Sequence, residues 1–415
     1  IGAVLPSWGG GSPTSWQAHP QLPAGFSLDQ GNGQISGMAT ELQEWSLHTI
    51  WANNSGGGDS TQVSFRIINL PPHSVEWPSN EIALASNESI SIHSQYSGPA
   101  IDSWEVNPQL PPGLYLSEDG VVSGTPDSRS DWSEYTFWTN NSGGSSSSSI
   151  WLAVHDLSAD QDQLLHGMGQ TSWGGWPSPV LPIGEWSFPV AFAEGGYTSE
   201  IPVISASHVG KGRMLGYGHE SWVYGSGGVE ETSFSLRAVE WACGVNAEVG
   251  LAYGAGFDGF QDELESEGHT VHTSVTPDNL SGVDCLLDEF WNGHDDDDNA
   301  NIVSFLLDGG GVIMGGHAWY WSYSNTDVAH NYPGNKIAKD TGLFVSNAWG
   351  YNEMDMSEIP HELSRPRAAI DAIRGDRIEG QTLSLEEASI ADSTLSLCTS
   401  VVSLDFDDFW SPLRK

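Results

Sequence analysis

The run RMLGYGHESW, Arg213 to Trp222, sets a His-Glu pair at the end of an apolar, glycine-rich stretch. Such a pair opens the helix of a zinc peptidase, where a second His must stand four residues after the first. Only that spacing points both imidazoles at one ion. Here His219 is followed at that position by Val223, and the other His-Glu pair, His361-Glu362, by Arg365. The chain contains no HExxH. A nucleophile elbow is the second chemistry the run suggests, with Cys or Ser at a sharp strand-to-helix turn between small residues. The matching run GYGHE, Gly216 to Glu220, carries Gly218 at its middle, and glycine has no attacking atom. Ser221 lacks the G-x-S-x-G context. His219 and Glu220 therefore have two readings, as polar residues held inside a turn or as ligand contacts.

His317, in MGGHAWYW, has the same two readings. An enzymatic alternative joins the three as a metal-dependent hydrolase, since His219, Glu220 and His317 would leave one metal position open for water. Aromatic clusters, with Trp173 and Trp176 in one run and Trp319, Tyr320, Trp321 and Tyr323 in another, are either core or flat platforms for sugar rings. The residues assigned to ligand binding are His219, Glu220, His317, Trp319 and Trp321, with no catalytic residue, metal site or cofactor. The acidic run HDDDDNAN is not a calcium loop. Counting from Asp295, Ala300 and Leu306 stand where Gly and Glu are needed, so these carboxylates read as the dipole-favoured start of a helix. Cys243, Cys285 and Cys398 show no disulfide or zinc spacing and are expected to be buried free thiols.

What must position these residues is an alternation of strands and helices from about Ile201. IPVISASHV, RMLGYG, EVGLAYG, HTVHTSV, VDCLLDEFW and GVIMGG read as strands. ETSFSLRAVEWACG, DGFQDELESEG and DDDDNANIVSFLLDGGG read as helices with glycine stops. That alternation predicts βαβ crossovers and a parallel sheet, whose functional crevice lies at the carboxyl ends of its strands. GYGHES and MGGHAWYW both leave strands at that end, which predicts one shared rim.

The first third is a repeat. Ser15–Gly57 and Ser103–Gly144 align at an offset of 88 residues at Trp16 and Trp104 and 87 at Asn53 and Asn140. Each copy alternates short β-prone runs with proline and glycine turns, the pattern of an antiparallel sandwich. Composition narrows the partners: 13 Lys plus Arg against 54 Asp plus Glu give a formal charge of −41, which repels nucleic acid and anionic lipid. No apolar run nears the roughly 18 residues that cross a bilayer. The acidic, Lys-poor, Gly-, Ser- and Trp-rich composition suggests an extracellular or cell-surface protein.

The pattern LPPGLxLxxxGxxSGTP resembles immunoglobulin-like, cadherin-related modules of microbial surface proteins. ASHVGKGRMLGYGHESWV, FLLDGGGVIMGGHAWYW and NYPGNKIAKDTGLF, taken together, resemble the class I amidotransferase-like domain that precedes the catalytic domain of enhancin-like, mucin-directed zinc metallopeptidases and occurs in the related animal channel-associated factors. The resemblance implies a multidomain chain. Two all-β immunoglobulin-like sandwiches (1–70, short of its leading strand, and 71–155) come before a flavodoxin-like α/β parallel-sheet domain (156–350) and a mixed helical tail (351–415). It further implies a noncatalytic accessory region of a secreted or surface peptidase that meets glycoprotein or glycan, with a catalytic domain downstream. The alternatives are the metal-dependent hydrolase and a surface adhesin whose binding lies in the sandwiches.

Overall fold

The computed structural model describes residues 3–196, 200–225, 227–252, 257 and 259–401. The chain divides into two compact units, Ile1–His155 and Asp156–Lys415, and is mostly β-sheet with a few helices.

In the first unit each repeat copy builds its own small core. Trp16, Leu22, Ile35 and Ile50 form one; Leu84, Val122, Phe137, Ile150 and Leu152 belong to the other. The two copies share a device that the repeat conserves. Gly33 and Gly120 both take φ +75°, and a Cβ there would meet the ring of Trp16 at 2.5 Å or of Trp104 at 2.4 Å. Only glycine supplies that turn and lets the indole lie against it.

The second unit is organised by one nine-stranded sheet. Its strands are β1 (Gln170–Ser172), β2 (Ser187–Gly195), β3 (Glu200–Val209), β4 (Gly212–Tyr217), β5 (Glu248–Ala252), β6 (Thr270–Val275), β7 (Cys285–Glu289), β8 (Gly311–Gly315) and β9 (Gly350–Asp355). They lie in the order β1-β9-β2-β3-β4-β8-β7-β5-β6. The last five, β4-β8-β7-β5-β6, run parallel. Their central members are buried along their length, as expected for strands covered on both faces. Six helices bear on the argument: α1 (Leu157–Leu165), α2 (Glu220–Val223), α3 (Val229–Cys243), α4 (Phe260–Ser266), α5 (Asp296–Leu307) and α6 (Ala318–Trp321).

Three expectations need correction. The sheet is mixed and not purely parallel, because only Gly210 and Lys211 separate β3 from β4; a connection that short closes a hairpin and cannot cross over. The segment expected to begin a helical tail opens instead with strand β9, which pairs with both β1 and β2. Finally, Cys243 and Cys285 form a disulfide across 42 residues, joining the end of α3 to the start of β7, while Cys398 alone is free and buried. Burial pushes the Cys398 thiol up to about 12.

The acidic run does begin a helix. Asp295 caps α5, its side chain accepting from the backbone N–H groups of Asp297 and Asp298.

Candidate functional site

Strands β4 and β8 are parallel neighbours with Tyr217 opposite Gly315, so the chains leaving their carboxyl ends emerge side by side. One delivers His219, the N-cap of α2, whose Nδ1 accepts from the Ser221 backbone N–H at 3.2 Å. The other delivers His317, the residue before α6. Their imidazoles stack at 4.5 Å between centroids and 12° between planes. Glu220 reaches across both loops: its Oε2 lies 2.5 Å from His317 Nδ1, 3.2 Å from the donating Trp291 Nε1 and 3.6 Å from His219 Nδ1.

Burial holds the His219 imidazole down to about 4, against the pull of Glu220 and with the push of His317. Burial alone would raise the Glu220 carboxyl, but the His317 hydrogen bond and the two imidazoles hold it below its usual range. Glu289, at the end of β7, is pushed up by burial and by the charge of Glu220. Beneath the cluster, the Tyr332 hydroxyl is fully buried and has no hydrogen-bond partner among the described residues. A Cβ on Gly316 would meet that hydroxyl at 2.7 Å.

Gly218 is boxed in by backbone. A Cβ there would stand 2.2 Å from the Ser178 carbonyl oxygen, 2.8 Å from Pro177 Cβ and 3.1 Å from the Val203 carbonyl oxygen. Nor does Gly218 adopt the left-handed conformation of a strained elbow. Ser221 Oγ lies 2.9 Å from His219 Nδ1. A base whose midpoint sits near 4 is almost wholly deprotonated at neutral pH but too weak to draw a proton from a hydroxyl efficiently.

Ligand atoms of His219, Glu220 and His317 come within 4.8 Å of one another, so these three are the residues that would hold an ion. Two features resist it. Stacked rings hold their in-plane lone pairs in nearly parallel planes where a tetrahedral ion needs them to converge on one point, and His219 Nδ1 is already engaged by Ser221.

Of the five residues assigned from sequence, four meet. Trp319 stands 5.4 Å from His317, ring to ring, and donates from Nε1 to the Trp176 carbonyl at 2.8 Å. Trp321 does not join them: it turns into the core against Tyr332, 5.7 Å away. Residues two apart on a helical turn face nearly opposite ways, so Trp319 and Trp321 cannot share a rim. Trp291, Glu289, Tyr332 and Ser178, which holds the Trp319 backbone N–H at 3.2 Å, were missed. For Trp291 and Glu289 the signal was present, since both sit at the carboxyl end of β7 beside β8.

The family model described as "TRPM8, N-terminal domain" (TCAF_N) matches residues 144–357, just over half of the chain. A TRPM8 channel-associated factor homolog of Xenopus laevis is 31% identical over 195 residues, 46% of this chain and 20% of that protein. One from Danio rerio is 28% identical over 280 residues, covering 63% and 28%. The chain thus spans less than a third of these relatives' length. Among solved structures, the IMPa metallopeptidase from Pseudomonas aeruginosa aligns with a TM-score of 0.38 at 18% identity, covering 52% of this chain and 26% of that one, too slight a likeness to carry an argument.

These matches overturn the enhancin-like reading. The family model covers residues 144–357, and the relatives named are channel-associated factors. The secreted, carbohydrate-binding accessory role, the glycoprotein or glycan partner, the downstream catalytic domain, the metal-dependent hydrolase and the adhesin fall with it.

Proposed function

The chain belongs to the TCAF_N family, and from that premise we propose that it is a noncatalytic, partner-binding region that works in association with a membrane channel, the association its relatives' names state. One observation carries the noncatalytic half. The position where an elbow nucleophile would stand is Gly218, and the backbone around it leaves no room for a side chain of any kind. What remains at the rim is a half-buried, mutually bonded His-Glu-His cluster bordered by aromatic rings, a surface suited to recognition.

The finer domain reading is part of the same proposal. Residues 1–70 and 71–155 act as two immunoglobulin-like modules, and residues 156 to the end of β9 as a flavodoxin-like, amidotransferase-derived domain followed by a tail. The parallel strands support it: counted from β5, the order β6-β5-β7-β8 is the 2-1-3-4 of a flavodoxin-like sheet, with β4 in the fifth place.

The test is co-purification of the tagged chain with TRPM8 from co-expressing cells, with channel currents recorded with and without the chain. Retention of the channel and altered currents are expected. Absence of both refutes the association. Turnover of glutamine or of an ester by the purified chain, above a heat-denatured control, refutes the noncatalytic half.

A further inference from the structure

Beside the His-Glu-His cluster runs a band of rings that the fold leaves facing solvent. Tyr323 meets Trp319 at 5.6 Å, Trp319 meets Trp176 at 6.2 Å, Trp176 meets Trp349 at 5.9 Å and Trp349 meets Tyr351 at 5.4 Å. Tyr323 is 75% exposed, Trp176 56% and Tyr351 44%. Three large aromatics this open in one connected row are a patch of the kind that marks an interaction site. The row is braced from below. Trp319 is tied to the Trp176 carbonyl and to Ser178, and Trp349 lies where a Cβ on Gly196 would meet its ring at 2.4 Å.

At its Tyr351 end the band opens into a cleft of about 980 Å³ lined by Glu194, Glu200, Glu353 and Asp355, with no Lys, Arg or His in its wall. Glu194 and Glu200 face each other directly across β2 and β3, a like-charge pairing that costs stability unless something positive offsets it. No cation pairs with any of the four among the described residues.

We propose that the band and this cleft together dock an extended, arginine- and lysine-rich segment of a partner protein. The proposal rests on the partner-binding reading and names the chemistry of the partner. Aromatic faces attract guanidinium and ammonium groups, and the carboxylates at the end of the row supply the complementary charge. An apolar segment would strip water from four carboxylates with nothing to replace it. Anionic lipid is repelled by a chain whose formal charge is −41. Nor do the rings make a flat sugar platform, since Trp176 is tilted 48° to Trp319 and 40° to Trp349. The five rings step 5.4–6.2 Å at a time, and an extended chain advances about 3.3 Å per residue, so about seven residues span the row.

The experiment is calorimetric titration of the full chain with a nine-residue peptide alternating Arg and Gly, at two salt concentrations, against a Glu-Gly peptide of equal length. Micromolar binding of the Arg peptide alone is expected, weakening with salt. Trp176→Ala and Tyr351→Leu, which leave the charge unchanged, are each expected to weaken it about threefold to tenfold. Glu194→Gln with Glu353→Gln should weaken it further, all three variants being checked for an unaltered melting curve. Equal binding by the aromatic variants would mean general attraction to an acidic surface and overturns the proposal. So does no binding at all, or displacement of the peptide by a neutral oligosaccharide. Peptide binding without channel association would leave this inference standing and refute the functional reading; the converse would do the reverse.

Discussion

Replacing Gly218 by Ala is the most direct test of the crowded turn. The added Cβ would lie 2.2 Å from the Ser178 carbonyl oxygen, about 1 Å inside ordinary contact. No flexible side chain can yield, because two of the three nearest atoms are backbone. The turn is also pinned by hydrogen bonds from Ser178 N–H to the Gly218 carbonyl and from Gly218 N–H to the Val203 carbonyl, both 2.8 Å. Relief therefore means overpacking strain of about 1–3 kcal/mol together with loss of one buried hydrogen bond, about 1 kcal/mol. A destabilisation of about 2–4 kcal/mol is expected, measured by urea unfolding of the 156–415 signals in the near ultraviolet. The matched control is Gly169→Ala, where nothing lies within 4 Å and a reduced unfolded-state entropy predicts a change of under about 1 kcal/mol. Gly218→Cys extends the test to chemistry. Even with a thiol installed, no acyl intermediate should form on treatment with an activated ester, because the thiol cannot occupy the rim. A Gly218→Ala variant as stable as its parent, or a stoichiometric thioester on the Cys variant, would refute the argument that this turn cannot house a nucleophile.

Other outcomes follow from the same coordinates. The Cys243–Cys285 bond closes a loop of 42 residues, so replacing both by Ser should cost about 4 kcal/mol on the loop-entropy account, read from the shift in urea midpoint. Asp160 on α1 is fully buried, receives Trp241 Nε1 at 3.0 Å and pairs with His208 at 2.7 Å. Asp160→Ala removes the carboxylate that both His208 and Trp241 engage, and a loss of about 3–5 kcal/mol is expected, with Asp160→Asn milder. Burial alone would lower the His294 midpoint, but the Asp288 carboxylate 2.7 Å away, with Asp298 and Asp295, raises it above the ordinary 6.5. The folded state then holds the proton more tightly, so this contribution to stability is full below pH 6.5 and fades as pH rises through the elevated midpoint. His219 runs the other way: its midpoint near 4 makes its contribution full above pH 6.5 and lost as pH falls towards 4. NMR titration of the two imidazoles separates them, and midpoints in the reverse order would contradict the packing described.

The parallel strands were legible because burial on both faces leaves no polar alternation to confuse them. CLLDE and GVIMG read as short apolar runs between turn residues, and they are the strands that carry the rim. Strand β9, GYNEMD, was invisible for the opposite reason. Within it only Gly350 and Met354 are buried, and its partners β1 and β2 lie more than 150 residues earlier, so no local pattern announces it. The disulfide was missed on similar grounds. Nothing in the spacing of Cys243 and Cys285 pairs them until α3 is laid along β7 and β8, where Gly311 lets the helix end approach so closely that a Cβ would meet Cys243 Sγ at 2.4 Å.

The candidate site was half legible, and the division has one physical cause. Sequence shows which residues leave the carboxyl ends of strands, but not which strands are neighbours. His219 and His317 are 98 residues apart, and they stack because β4 is inserted beside β8 instead of beside β5, the next strand along the chain. That insertion also places β3 and β2 on the far side of β4, and it is on them that Glu194 and Glu200 are carried, while Tyr351 and Glu353 arrive on β9. Strand β4 is thus the hinge of the surface: its parallel side supports the half-buried imidazole pair, and its antiparallel side leads towards the carboxylates. Substitutions that loosen β4, Gly218→Ala among them, should therefore weaken binding of the Arg-Gly peptide as well as stability, whereas Asp160→Asn, beneath the opposite end of β3 and β4, should lower stability and leave peptide affinity within about twofold.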